Sequence, residues 1–262
     1  MMPAENQEQA PLSLLLGGGK GLFEFITDGV SVLKDADVKH KLLQWNLNET
    51  LQIKRFRVKR RVASDTAEEI IAQFFQDAHA RAALSLPTEP THGKQMIECR
   101  KLQVSVTSTA FFDRLVDAGV VTASGALRRC LDEVYDGATA SDLLKDMFVN
   151  PETENVRVFN EESEQREFIF QLLRALVVGG SMCQSDETFA PYEAMAKRLY
   201  KALVTVKKSG DARANVQVTS LVYAVGGSSI FASASHFSSC FVVLDPRKRR
   251  LTVWHNEFKP FW

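Results

Sequence analysis

The sequence is poor in the features that mark specialised classes of protein. Among its 262 residues there are four cysteines, none of them in a C-x-x-C pair, and no apolar run reaches the ~18 residues that a membrane span needs. The 32 Lys and Arg residues are matched by 32 Asp and Glu residues, so the formal net charge is zero. These absences argue against a disulfide scaffold, a membrane protein and a generally basic nucleic-acid binder.

The composition that remains is that of an ordinary soluble globular protein. Hydrophobic residues make up 45%, charged residues 24% and aromatic residues 9%, which is too apolar for a disordered chain. The first residues carry Glu5 and Glu8 where a secretion signal would be basic. We therefore expect a cytosolic protein whose cysteines are reduced, partly buried thiols.

The domain organisation follows from where the patterns of regular structure begin. Residues 1–20 are polar and then glycine-rich, and we expect them to be a flexible leader. Residues 21–262 are expected to form a single α+β domain, because helical and strand patterns mix without strict βαβ alternation. A possible internal boundary near residue 150, at Asn150-Pro151, stays open.

Four apolar doublet pairs, spaced i, i+1, i+4 and i+5, predict amphipathic helices. They are Ile70, Ile71, Phe74 and Phe75; Phe111, Phe112, Leu115 and Val116; Leu143, Leu144, Met147 and Phe148; and Leu172, Leu173, Leu176 and Val177. The last set belongs to a predicted helix over residues 161–178, which starts acidic and stops at Gly179-Gly180. Pro191 is predicted to open the next helix.

Alternating apolar and polar residues predict the strands. They are residues 22–27, 51–62, 101–107, 216–225, 237–244 and 251–255. The last two resemble a hairpin joined by residues 245–250. The predicted fold is α+β, with mixed helices packed on a largely antiparallel sheet and a C-terminal β-meander or hairpin.

No catalytic motif has the spacing that its chemistry needs. The glycines at 17–21 lack the Ser or Thr of a phosphate loop, and the five histidines lack metal-ligand spacing. Cys183 follows a predicted helix C-terminus, where the helix dipole disfavours a thiolate. Asp132 and Glu133 are predicted to lie on a helix surface. We therefore expect no enzyme, no catalytic residue, no cofactor and no metal.

One segment carries a strong local charge, because residues 54–61 place six cations in eight positions. On a strand, Arg55, Arg57, Lys59 and Arg61 would share one face, opposite a mostly apolar face. These four are the candidate protein-binding residues, for an acidic partner. Two alternatives stay open: a solvated edge strand whose cations prevent unwanted pairing, and a nucleic-acid surface, which the neutral whole-chain charge disfavours.

The zero net charge is a cancellation between segments. Residues 1–63 carry a net +3 and residues 171–262 a net +6, whereas residues 64–120 carry −3 and residues 121–170 carry −6. The chain therefore has an acidic middle and basic flanks. The basic run at 247–250 is most simply an exposed hairpin turn.

Several segments, taken in order, resemble one known family. They are FIFQLLRALVVGGSMCQ from Phe168, PYEAMAKRLYKALVTVKK from Pro191, VQVTSLVYAV from Val216 and FVVLDPRKRRLTVWH from Phe241. In that order these resemble the cilia- and flagella-associated protein 300 family, and FFDRLVDAGVVTASGALRRCLDEVYDG from Phe111 and IIAQFFQDA from Ile70 fit it as well. The resemblance runs collinearly from about Leu22 to Trp254.

The resemblance implies a non-enzymatic assembly or transport factor for axonemal dynein arms of motile cilia and flagella. It implies action by protein–protein binding in the cytoplasm and at the ciliary or flagellar axoneme. The implied partners are axonemal dynein subunits and a kintoun-type dynein assembly co-chaperone, with intraflagellar transport machinery as a further one. No membrane is expected. The rival hypothesis is a divergent enzyme whose site is assembled from distant loops, with residues 179–186 and 226–236 as its walls.

Overall fold

The computed structural model describes residues 21–86, 97–208, 216–233 and 235–260; the predicted leader at 1–20 lies outside them. The strands are β1 (Phe23–Ile26), β2 (Leu51–Val58), β3 (Glu98–Leu102), β4 (Arg129–Tyr135), β5 (Ala138–Asp142), β6 (Val206–Lys208), β7 (Val216–Val218), β8 (Leu221–Gly226), β9 (Ser239–Asp245) and β10 (Arg250–Asn256). The helices are α1 (Ala36–Gln44), α2 (Ala67–Gln76), α3 (Ala78–Ala83), α4 (Arg114–Asp117), α5 (Leu143–Val149), α6 (Glu162–Gln165), α7 (Phe168–Val178) and α8 (Ala190–Leu203).

A six-stranded sheet organises these elements, with the strand order β1-β2-β10-β9-β8-β3. Each neighbouring pair in it is antiparallel. Strands β8, β9 and β10 are consecutive both in the chain and in the sheet, so they form the predicted C-terminal meander. The α+β prediction is confirmed.

Both faces of this sheet are covered by helices. On one face Ile53, Phe241 and Trp254 lie in register and join a core to which α1, α5, α7 and α8 contribute. On the other face Phe56 and Val253 belong to a core with α2 and α3. Because both faces of the sheet are covered, β9 and β10 are buried almost throughout, including the polar Thr252, His255 and Asn256 of β10.

Three strand predictions differ from the structure by more than two residues at one end or by division into two strands. Strand β2 ends at Val58, and the segment predicted at 216–225 divides into β7 and β8. The strand predicted at 101–107 is β3, which ends at Leu102. Beyond it the Gln103 N–H donates to the Arg166 carbonyl at 2.9 Å, and the Gln103 carbonyl accepts from the Phe168 N–H at 2.9 Å. The chain therefore leaves the sheet to pair with the start of α7.

The single helix predicted over residues 161–178 is two helices, α6 and α7. They are separated at Glu167, whose backbone is extended and which is 2% exposed. Its carboxylate accepts hydrogen bonds from the Ser105 hydroxyl and, at 3.3 Å, from the Val106 N–H. These bonds satisfy a buried charge that a continuous helix would leave without partners.

The helix predicted around Phe111 is shorter than expected. A 3₁₀ helix (Thr109–Phe112) precedes the single turn of α4, and Val116 is 43% exposed. The stripe Ile70, Ile71, Phe74 and Phe75 on α2 and the stripe Leu172, Leu173, Leu176 and Val177 on α7 are buried as predicted.

Asp132 and Glu133 lie on β4, so their placement on a helix surface was wrong. Strands β4 and β5 form a hairpin of their own, separate from the six-stranded sheet. Its turn is Asp136-Gly137, both with positive φ (45° and 83°). Asp-Gly at a two-residue turn is a strong local hairpin signal, and it was present in the sequence.

Candidate protein-binding site

Arg55 lies on β2, and its side chain is used inside the fold. Its guanidinium donates to the Gly29 carbonyl at 3.1 Å and to the Ala202 carbonyl, near the end of α8, at 2.9 Å. Burial lowers the pKa of this half-buried group, and the charge of Arg250 lowers it further. Arg55, one of the four predicted binding residues, thus links β2 to the segment after β1 and to α8. Its charge also adds to the positive potential of the surface.

Arg57, Lys59 and Arg61 are exposed, as a partner-binding role requires. Arg57 is on β2, with Glu24 of β1 opposite it on one side and Arg250 of β10 on the other. Lys59 and Arg61 follow the end of the strand, where the Lys59 N–H still donates to the Leu22 carbonyl at 2.9 Å. Lys59 and Arg61 therefore lie just beyond the end of the sheet, with their side chains exposed.

The interpretation of residues 54–61 as a protective edge strand was wrong. Strand β2 lies between β1 and β10, with four residues registered against β1 and seven against β10. Beyond β10, the Val58 N–H donates to the Arg249 carbonyl at 2.8 Å. Backbone pairing on both sides leaves the cations no edge to protect at this position.

A second basic segment, remote in sequence, lies beside the first. The Arg249 carbonyl accepts the bond from Val58, and Arg250 is the Cα partner of Arg57. The β9–β10 turn is therefore adjacent to the end of β2, and its Arg247, Lys248 and Arg249 are exposed. We call the six exposed cations the basic sheet end: Arg57, Lys59, Arg61, Arg247, Lys248 and Arg249.

The Asp245 carboxylate stabilises the β9–β10 turn by accepting hydrogen bonds. It accepts the backbone N–H groups of Arg247 and Lys248, both at 3.0 Å, and the Thr205 hydroxyl at 2.6 Å. Burial opposes its ionisation, but the Thr205 hydrogen bond and the N–H and charge of Lys248 hold the pKa below its usual value. The turn thus buries its carboxylate and presents its cations to water.

A carboxylate, Glu24 of β1, is registered opposite Arg57, but the basic sheet end forms no ion pair within the part of the chain that the structure describes. There, no Asp or Glu side chain comes within ion-pair distance of any of its six cations. By contrast Arg60, on the opposite side of the segment, pairs with Glu69 of α2 at 3.1 Å. From the sequence, residues 247–250 were interpreted as an exposed hairpin turn. Their position beside the cations of β2 results from the pairing of β2 with β10.

Residues 179–186 form a turn packed against the end of α1. Gly179 has a φ of +62°, and a Cβ there would lie 2.7 Å from the Trp45 carbonyl oxygen. A Cβ on Gly180 would overlap the Asn46 carbonyl oxygen, while its N–H donates to the Trp45 carbonyl at 2.9 Å. The Gly-Gly pair is needed for this close approach.

Asp186 holds the other end of the same turn. Its carboxylate pairs with Lys41 at 2.6 Å and accepts the Trp45 indole N–H at 2.8 Å. The Asp186 N–H donates to the Tyr192 hydroxyl at 3.1 Å, and the Tyr192 ring stacks on Trp45 with centroids 4.6 Å apart. Tyr192 and the Gly179-Gly180 pair, which belong to segments that carry the resemblance, thus pack together at the end of α1. We call this contact between residues 179–186 and the end of α1 the joint.

Two exposed apolar side chains flank this joint. Leu43 is 61% exposed and Met182 is 60% exposed. Both are tied to Asn46, whose N–H donates to the Leu43 carbonyl at 3.0 Å and whose side-chain oxygen accepts the Met182 N–H at 3.5 Å.

Cys183 is part of the turn and is a poor nucleophile. Burial raises the pKa of its thiol, although Lys145 and Ser185 act in the opposite direction. The expected disadvantage of a thiolate here is confirmed, with burial rather than the helix dipole as its main cause. All four cysteines are free.

In the rival hypothesis, residues 179–186 and 226–236 would line one enzyme site, but the cavity beside residues 226–236 is not lined by both segments. That cavity, of about 520 Å³, is lined by residues from 225–238 and by none from 179–186. Searched over the described residues, the chain holds no group of three or more His, Cys, Asp or Glu side chains placed to hold a metal ion. No helix within that same portion is long and apolar enough to cross a membrane.

The sequence model of the family described as Cilia- and flagella-associated protein 300 matches residues 22–256. The chain therefore belongs to the cilia- and flagella-associated protein 300 family. A protein of that name from Chlamydomonas reinhardtii is 27% identical over 247 residues, covering 88% of this chain and 95% of the relative. One from Paramecium tetraurelia is 22% identical over 247 residues, covering 92% and 95% respectively. No solved structure matches the chain.

Proposed function

We propose that this protein is a non-enzymatic assembly or transport factor for the axonemal dynein arms of motile cilia and flagella. It acts by binding other proteins, in the cytoplasm and at the ciliary or flagellar axoneme. Its partners are axonemal dynein subunits and a kintoun-type dynein assembly co-chaperone, with intraflagellar transport machinery as a further partner.

The observation that carries the proposal is the extent of the family match. It runs from residue 22 to residue 256, and the six-stranded sheet runs from Phe23 in β1 to Asn256 in β10. The whole folded unit, and not one shared motif, therefore corresponds to the family. The two curated relatives named above are named for an association with cilia and flagella.

The chemistry of the surface favours binding over catalysis. The basic sheet end presents six exposed cations without paired carboxylates among the described residues, and Leu43 and Met182 offer a separate apolar contact. Surface charge and exposed apolar side chains serve recognition. Burial raises the thiol pKa of Cys183, which weakens the rival hypothesis of a site around residues 179–186.

Affinity purification of the tagged chain from ciliating cells tests the proposal. We expect it to recover dynein heavy or intermediate chains together with a kintoun-type co-chaperone. Deletion of the gene should remove dynein arms from axonemes seen in cross-section. Recovery of no dynein chain, combined with normal arms after deletion, would refute the proposal.

A matched control separates loss of binding from loss of folding. Gly180→Ala should disrupt the joint with α1 and lower recovery through reduced protein level, because its new Cβ overlaps the Asn46 carbonyl oxygen. Met182→Ser removes exposed apolar surface and should leave the protein level unchanged. Reduced dynein recovery with M182S at normal protein level would locate a partner contact beside the joint.

A further inference from the structure

Two basic segments that are distant in sequence form one surface at the end of the main sheet. The β2–β10 register places Arg250 opposite Arg57, and the Val58 N–H bonds to the Arg249 carbonyl at 2.8 Å. The cations that follow β2 and those of the β9–β10 turn are therefore neighbours. Three exposed cations from the basic first part of the chain and three from its basic last part therefore meet here.

Positive charges outnumber negative ones at this surface: Arg57 and Arg250 are opposite each other, flanked by Glu24 opposite Arg57 and by Asp245 opposite Arg250. Like charges directly opposite each other on paired strands are destabilising, and Arg57 and Arg250 are such a pair. The charge of Arg250 also contributes to the lowered pKa of Arg55. The nearest partner of Arg250 is Asp245, at 4.0 Å, and that carboxylate is occupied by the Thr205 hydroxyl and the turn N–H groups.

We propose that the basic sheet end binds an acidic peptide segment of a partner protein, with Arg57 and Lys248 contacting its carboxylates. The segment would contact the end of β2 and the β9–β10 turn together. Its carboxylates would supply counter-charges to the six exposed cations, which form no ion pair among the described residues. This inference rests on the protein-binding function proposed above and names the chemistry of one partner.

Charge complementarity identifies the occupant as acidic protein rather than nucleic acid. Four of the six cations of the basic sheet end are Arg, whose planar guanidinium bonds carboxylates in a bidentate manner. The aromatic residue within residues 54–61, Phe56, is buried, so it offers no ring on which a base could stack. The zero net charge of the chain also provides no long-range attraction for a nucleic-acid strand.

The test is the binding of a labelled polyglutamate peptide to the full chain, followed by fluorescence anisotropy at low and at physiological salt. We expect wild-type binding that weakens with salt. Arg57→Glu and Lys248→Glu should each weaken it by about fivefold or more, because each loses a charge contact and adds a repulsion. Lys259→Glu changes the net charge equally at an exposed residue beyond the opposite end of β10, and should leave affinity unchanged.

Four results would overturn the inference. The first is no wild-type binding at low salt, and the second is an equal loss with K259E. The third is a single-stranded oligonucleotide that binds more tightly than the peptide and is lost with R57E and K248E. The fourth is a salt-sensitive dimer abolished by R57E, which would make the acidic middle of a second copy the occupant. If R57E does not fold, Arg57→Gln and Lys248→Gln replace the reversals, with an expected loss of about threefold each.

The inference and the proposed function fail in different ways. A variant that no longer binds the peptide but still recovers dynein chains from cells would refute the role of the basic sheet end and leave the proposed function standing. Normal dynein arms after gene deletion would refute the proposed function, while the anisotropy measurement would still decide the peptide binding.

Discussion

Arg57 on β2 and Arg250 on β10 lie directly opposite each other, so two guanidinium groups leave the same face of the sheet side by side. Two residues earlier on β2, Arg55 has the same chemistry but points into contacts with the Gly29 and Ala202 carbonyl groups. The same residue type therefore has a structural role at one position and a surface role at the other.

Alanine substitutions should separate these two roles. Arg55→Ala removes two hydrogen bonds from a charged donor and should lower the free energy of unfolding by about 1.5–3 kcal/mol. Arg57→Ala removes an exposed side chain that lies between Arg250 and Glu24, so a lost repulsion offsets a lost attraction and the effect should stay within about 0.5 kcal/mol of zero. Urea denaturation followed by tryptophan fluorescence measures both. Equal destabilisation by the two variants would contradict the assignment.

Gly180→Ala should destabilise the protein by about 1–3 kcal/mol, because the new Cβ overlaps the Asn46 carbonyl oxygen and forces the turn away from α1. The matched control is Gly226→Ala, where a Cβ meets nothing within 4 Å and φ is not positive. The control should be neutral or slightly stabilising. Thermal unfolding of the two variants, measured side by side, decides the point.

Asp186→Ala removes the ion pair with Lys41 and leaves the Trp45 indole N–H without its acceptor. We expect a loss of about 1–3 kcal/mol in the free energy of unfolding, since a partly buried donor loses its partner. Glu187→Ala, one residue along and exposed, is the control and should change stability little. An unchanged melting temperature in D186A would show that the joint does not depend on this carboxylate.

His255 predicts a dependence of stability on pH. The ring is 5% exposed, its Nε2–H donates to the Ile230 carbonyl at 2.9 Å, and its Nδ1 has no hydrogen-bond partner among the described residues. Burial lowers the pKa of His255 below the usual 6.5, assisted by Lys54 and opposed by the Ile230 hydrogen bond and Glu257. Protonation would bury a charge and an unsatisfied N–H.

The sign follows from which state binds the proton first. The unfolded chain takes up a proton as the pH falls through about 6.5, whereas the folded protein does so only at lower pH, so stability is lost as the pH falls below that value. His255→Gln should flatten the fall in the urea midpoint between about pH 7.5 and 5.5. His40→Gln, at an exposed position, should leave the slope unchanged. Identical slopes for wild type and H255Q would exclude His255 as the source.

Much of the local structure could be predicted because it depends on nearest neighbours along the chain. The stripe on α2, the Gly-Gly end of α7 and Pro191 in the first turn of α8 follow from local spacing and backbone chemistry. The β4–β5 hairpin had the same kind of local signal in Asp136-Gly137, and the acidic pair Asp132 and Glu133 hid it by suggesting a helix surface.

The break between α6 and α7 could not be predicted from local pattern. It depends on Glu167 accepting hydrogen bonds from Ser105 and Val106, which are about sixty residues earlier in the chain. The need for two glycines at 179 and 180 could likewise be predicted only in part. A helix end explains one glycine, but the contact of Gly180 with the Asn46 carbonyl exists only once the turn is packed on α1.

By itself, the sequence determined the α+β class, the helix stripes, the C-terminal meander and the positions of the two basic segments, because these depend on residue type and spacing. The tertiary structure alone decided that β2 is an inner strand, that Arg55 is tethered within the fold, and that the basic segments meet at one end of the sheet. The physical reason is that β2 and β10 are about two hundred residues apart in the chain. Their pairing register is set by which faces of the two strands become buried in the folded protein, and a local sequence pattern does not specify this.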